Sequence, residues 1–222
     1  MLNTVYPFLS ALAQNNHREW FESHRGDYDL ARKQVLQFAS EIHAQLLVFD
    51  GTLSVCNPAK SVFRIYRDTR FSHDKTPYKN NMGFWFSVAP KSKVGAGYYV
   101  HLQPGASFIA AGVYMPPAAE LQAIRQEIYF NGDSLEAILR QKSFKKIFGG
   151  LEDHCLKTSP KGYPKEHPHI ELLRQKSIVV SKTYDDKSLD AAGMVKKIAS
   201  DLGAAAPLVS FINQAIQLGD EL

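Results

Sequence analysis

Apolar residues recur at three- and four-residue steps through Ala31, Val35, Phe38, Ile42 and Leu46, the strongest helical period in the chain. The spacing predicts a long amphipathic helix from Tyr28 that ends near Phe49-Asp50-Gly51, with Gly51 in the left-handed conformation that closes such helices. Ahead of it, Pro7, Leu9 and Leu12 predict a short helix reaching the Asn15-Asn16 pair, with Pro7 suited to its first turn. Asn16 is expected to cap a second helix, with Glu19 as the acidic partner of a capping box and Trp20 and Phe21 turned inward.

Further on the period changes. Residues 62–66, 83–88, 98–103 and 107–114 are short runs rich in aromatic and β-branched side chains, separated by Gly, Pro and Lys, and they predict four strands. The connections after the second and third leave no room for a crossover helix, so those strands pair antiparallel. Alternation along 98–102 puts Tyr99 and His101 on one face and Tyr98, Val100 and Leu102 on the other, one face for the core and one for lining a pocket. Pro116 and Pro117 close the sheet. Helical spacing returns at 118–129 and 134–141, in a short helix through Leu173, and at 186–202 and 207–218, with a further strand over 178–181. The expected fold class is α+β: an antiparallel β-meander of about four or five strands covered by N-terminal and C-terminal helices, in a single domain over residues 1–222.

Composition narrows the class without naming a function. The chain is 45% hydrophobic and 22% charged, and it lacks low-complexity tracts, so it is expected to fold throughout. Its first residues lack the basic start and apolar core of a secretory signal, and no apolar run approaches the roughly 20 residues that span a bilayer. A cytoplasmic location with no membrane association is the expectation. Cys56 and Cys155 are the two cysteines, too few for a disulfide framework or a thiolate metal cage, and no spacing calls for a metal or a cofactor.

Charge singles out one segment. The net charge is +4, and residues 60–79 hold six Lys or Arg against two Asp, which accounts for the whole excess. Guanidinium forks at Arg64, Arg67 and Arg70 suit carboxylate or phosphate, and Lys75 and Lys79 bracket the Thr76-Pro77-Tyr78 turn as point charges. Tyr66, Phe71 and Tyr78 offer flat surfaces for a base or sugar. Asp68 and Asp74 can neutralise two of these cations, which would make an ion-paired turn, yet the remaining cations favour a ligand. The expected ligand-binding set is Arg64, Tyr66, Arg67, Arg70, Lys75, Tyr78 and Lys79, for a phosphate-containing ligand such as a nucleotide or nucleic acid. His101, Lys161 and His167 are secondary candidates, the last two in a Pro- and His-rich loop that also reads as a plain rigid turn. An enzyme acting on a phosphorylated or nucleic-acid substrate is the alternative, with His101, His73 or His167 in proton transfer; Ser72 is a nucleophile candidate by position alone. A structural or interaction protein with an internally satisfied basic turn is the third reading.

The string Arg67-Asp68-x-Arg70-Phe71-Ser72-x-Asp74-Lys75-x-Pro77-Tyr78-Lys79 resembles the signature of a bacterial and fungal family catalogued as domain of unknown function 2461. Asn15-Asn16-x-Arg18-Glu19-Trp20-Phe21, Tyr98-Tyr99-Val100-His101 before Pro104-Gly105, and Pro160-Lys161-Gly162-Tyr163 before His167-Pro168 agree with it in order. The resemblance spans nearly the whole chain. It implies no activity, cofactor or catalytic residue, and it marks the basic turn as the main shared feature.

Overall fold

The computed structural model describes residues 2–70, 73–89, 94–189 and 191–220. The chain opens with α1 (Val5–Gln14), α2 (Arg18–Ser23) and α3 (Arg25–Leu46). The five positions whose spacing predicted α3 are all buried on it, joined by Tyr28, Ala39 and His43. It ends at Leu46, short of the expected Gly51. The Asp50 carboxylate accepts from the Thr52 N–H and caps a 3-10 turn over Gly51–Val55, so Gly51 starts the next element instead of closing the last.

After α4 (Pro58–Ser61) come β1 (Met82–Phe86), β2 (Gly97–Leu102) and β3 (Ser107–Val113), then α5 (Ala118–Arg140), α6 (Lys142–Phe148) and α7 (Ile170–Leu173). The chain ends with β4 (Ile178–Tyr184), α8 (Asp186–Leu189), α9 (Met194–Gly203) and α10 (Ala206–Asp220). The strands form one four-stranded sheet in the order β1-β2-β3-β4, an antiparallel meander, and the α+β class follows the expectation. Two helical expectations are corrected. The segments 118–129 and 134–141 form the single helix α5, kinked at Asn131 (φ −126°, ψ 28°), whose amide donates to the Glu127 carboxylate. The helix expected over 186–202 is broken into α8 and α9, with Gly193 at φ 85° just ahead of α9.

The chain forms two compact units. The first comprises residues 1–86, 99–109 and 183–200, the second residues 87–98, 110–182 and 201–222. In the first, α3 packs on β1, with Phe38 meeting Phe84 edge-on at 6.3 Å, while Phe8 joins α1 to Phe21 and Tyr28. In the second, α5 packs against α10, burying Ile124, Ile128 and Leu135 together with Leu208 and Ile212. There the Asn213 side chain holds the Ala96 backbone, accepting from its N–H at 2.8 Å and donating to its carbonyl at 3.3 Å. Among the described residues no helix is long and apolar enough to cross a membrane.

Candidate anion-binding site

The strand expected over 62–66 is reduced to two isolated antiparallel bridges, Val62 with Phe84 and Tyr66 with Tyr78. The three residues between Val62 and Tyr66 therefore face the five between Tyr78 and Phe84. A ladder with two surplus residues on one side has to open. Backbone bonds survive at its ends: Phe63 N–H to Gly83 O at 2.9 Å, Lys79 N–H to Ile65 O at 2.8 Å and Arg67 N–H to Pro77 O at 2.9 Å. A cavity of about 410 Å³ lies at the opening. Phe63, Arg64 and Arg67 line it from one run, Lys79, Asn81 and Gly83 from the facing run, and Tyr99 and His101 from β2.

Asn16 positions this opening and does not cap α2. The cap is His17, whose Nδ1 accepts from the Trp20 N–H at 3.4 Å. The Asn16 amide instead reaches Tyr78, donating to its carbonyl at 3.0 Å and accepting from its N–H at 3.1 Å. Paired this way, the amide acts as one more strand residue and fixes the peptide next to Lys79. Asn16→Ala is expected to lower stability by about 1–3 kcal/mol, measured by urea denaturation, because the part-buried Tyr78 N–H loses its acceptor and the Tyr78 carbonyl one of its two donors.

The cations in the cavity are poorly compensated. Arg67, with a side chain 26% exposed, pairs through NH1 with Asp74 at 3.1 Å and donates through NH2 to Tyr78 O at 3.4 Å. Its Nε is buried and has no hydrogen-bond partner among the described residues. Lys79 donates to Arg64 O at 3.1 Å and sits 5.7 Å from the Phe63 ring centre. Burial, and then the charges of Arg64 and Arg67, push the Lys79 ammonium below its ordinary value. Among the described residues no carboxylate lies within ion-pair distance of Arg64 or Lys79.

The polar side chains that β2 brings to the cavity are, by contrast, uncharged and bonded to one another. Tyr99 Oη lies 2.8 Å from His101 Nδ1, and His101 Nε2 lies 3.0 Å from Gln103 Oε1. With the Gln103 amide oriented this way, Nε2 carries the imidazole proton and the Tyr99 hydroxyl donates to Nδ1. Burial pushes the Tyr99 phenol up to about 12 and the His101 imidazole below its ordinary value, so both are uncharged at pH 7. Tyr99 lies across β1 because residue 83 is glycine: a Cβ there would come 2.8 Å from Tyr99 Oη and from Val100 O.

Several expected ligand residues lie elsewhere. Arg70 folds back on Asp68, Nε to Oδ1 at 3.0 Å and NH2 to Oδ2 at 2.7 Å, which holds that carboxyl below its usual range. Lys75 is exposed and donates to Thr69 O at 2.9 Å. The Tyr66 ring is exposed, its hydroxyl accepting from Arg25 at 3.5 Å, whereas the Tyr78 ring is buried and stacked on Phe21 at 4.0 Å. Lys161 and His167 belong to the second unit, where Lys161 is exposed and the His167 ring stacks on Tyr129 at 4.5 Å. His73 is exposed, and Phe71 and Ser72 lie outside the described residues. Sequence reasoning missed Phe63, Asn81 and Gly83 as lining residues; the polar pair Asn80-Asn81 directly ahead of the apolar β1 run was the available signal. Among the described residues no group of three or more His, Cys, Asp or Glu side chains is placed to hold a metal ion.

A four-stranded meander with N- and C-terminal helices, and a cation-lined cavity where the pairing of residues 62–66 fails, define an α+β protein with a basic pocket. Residues 4–211 match the family model described as Conserved hypothetical protein (DUF2461), and the chain belongs to that family. No curated protein and no solved structure matches it.

Proposed function

We propose that the protein binds a phosphate-containing ligand, a nucleotide or nucleic acid, through Arg64, Arg67 and Lys79. One observation carries this reading: three cationic side chains line one cavity, and Asp74 on Arg67 is the one carboxylate paired with any of them among the described residues. An incoming anion offsets the desolvation, and the repulsion from Arg64 and Arg67, that disfavour the charged form of Lys79. Both His101 nitrogens are already engaged, which supports binding over proton transfer in this cavity. The internally satisfied reading suits Arg70 and Lys75, whose partners lie within their own turn. A cytoplasmic setting suits a chain whose two cysteines form no disulfide among the described residues.

The test is a thermal-shift and calorimetric panel of inorganic phosphate, nucleotides and short oligonucleotides. At least one is expected to raise Tm. Arg67→Ala is expected to weaken that ligand about tenfold to a hundredfold, the worth of a charge-assisted hydrogen bond, while Arg70→Ala leaves affinity within about twofold. A panel in which no anion shifts Tm removes the proposal.

A further inference from the structure

The charges and donors around the cavity narrow the ligand further, a step that rests on the anion-binding reading. Arg64, Arg67 and Lys79 bring three positive charges and Asp74 one negative, while Asp68, which also acts on Arg64, is matched by Arg70, which leaves two to be met. The donors are also in excess. Arg67 Nε has no acceptor among the described residues. Lys79 Nζ has Arg64 O, which uses one of its three protons. The guanidinium of Arg64 and the amide of Asn81 line the same cavity without a hydrogen-bond partner among the described residues. The other walls are uncharged: the hydroxyl of Tyr99 is given to His101, His101 is closed off by Gln103, and the Phe63 ring is apolar.

We infer that the cavity selects a dianionic phosphomonoester on a small molecule over a phosphodiester or a carboxylate. A monoester places about two charges and three acceptor oxygens on one centre. A diester offers one charge and two free oxygens, so it leaves one cation unmet and one donor unused. A carboxylate has the same shortfall in charge. The cavity of about 410 Å³ falls in the range of small-ligand pockets, so room remains beside the phosphate for an organic part against Phe63.

Phenyl phosphate, methyl phenyl phosphate, phenyl sulfate and benzoate, with inorganic phosphate as reference, separate these cases by titration calorimetry on the full chain. At pH 7.5 phenyl phosphate is expected to bind about tenfold tighter than the other three aromatic probes, the effect of one more charge on the bound group. At pH 5.5, below the second ionisation of the monoester near pH 6, that advantage is expected to shrink towards unity.

The sign identifies the source. The groups facing the cavity are Arg64, Arg67, Lys79, His101, Tyr99 and, on Arg67, Asp74; Asp68 also acts on Arg64, and its pairing with Arg70 keeps it ionised at pH 5.5. Acidification adds charge to His101 and keeps Lys79 charged, and either change would tighten anion binding. Asp74, held low first by Thr76 and also by Arg67, stays ionised at pH 5.5, and Tyr99 stays neutral. Weakening on acidification therefore comes from the ligand. Arg64→Gln, which removes one of the two surplus charges, is expected to reduce the preference for phenyl phosphate over phenyl sulfate to about twofold or less. Equal affinity for methyl phenyl phosphate or benzoate, or affinity for phenyl phosphate that does not fall as the pH is lowered, overturns the inference and leaves anion binding standing. If none of the four probes nor inorganic phosphate binds, the anion-binding reading falls with it.

Discussion

Gly112→Ala is expected to destabilise the protein by more than about 4 kcal/mol, a loss reserved for backbone and core violations. Gly112 lies in β3 at φ 117°, outside the region open to L side chains. A Cβ there would lie 2.0 Å from Ile178 O and 3.0 Å from both Ile178 C and Val179 Cα. Those are backbone atoms of β4, so no rotamer change can move them aside. Relief requires β4 to separate from β3, and β4 carries the buried Ile178, Val179 and Val180. For a chain of this size each kcal/mol is worth about 2–4 °C, so the variant is expected to melt roughly 10 °C lower or fail to fold, as read by circular dichroism. Gly26→Ala is the control: it lies in α3 with nothing within 4 Å of a new Cβ, and it is expected to hold or slightly raise Tm. A Gly112→Ala variant with unchanged Tm would contradict the β3–β4 pairing.

The parts of the fold that were legible are those whose signal is local. Helix α3 follows from the burial of every third or fourth residue, and the shared face of Tyr99 and His101 follows from strand alternation. The broken ladder was not legible, because local composition gives 62–66 the look of a strand while the two-residue mismatch exists only once 62–66 is paired with 78–84. Asn16 illustrates the same limit. Its position ahead of a helix suits a cap, and nothing near it in sequence reveals that its partner is Tyr78, 62 residues away. In the basic segment, sequence proximity overstated convergence. Arg70 has an acceptor two residues back in Asp68, and Asp74 is turned onto the Thr76 N–H at 2.9 Å, so the turn organises itself around its own carboxylates. What remains in the cavity is the subset flanking the mismatch, Arg64, Arg67 and Lys79, joined by residues that carry no charge.

Tyr78 separates a core role from a ligand role by two substitutions. Tyr78→Ala is expected to cost about 3–5 kcal/mol by urea denaturation, the usual loss for a large aromatic removed from a core. The residue is 2% exposed, stacks on Phe21 at 4.0 Å and 14°, and lies 5.5 Å from the Tyr66 ring. Its backbone carbonyl also receives both the Asn16 amide and Arg67 NH2, so collapse around a missing ring would shift the guanidinium that lines the cavity. Tyr78→Phe keeps the ring and the backbone. It is expected to stay within about 1 kcal/mol of the parent and to bind inorganic phosphate with unchanged affinity, because the hydroxyl is absent from the cavity lining. If the tyrosine instead met the ligand through its hydroxyl, the phenylalanine variant would lose affinity at unchanged stability, and the stacked, buried ring would then be serving two purposes at once.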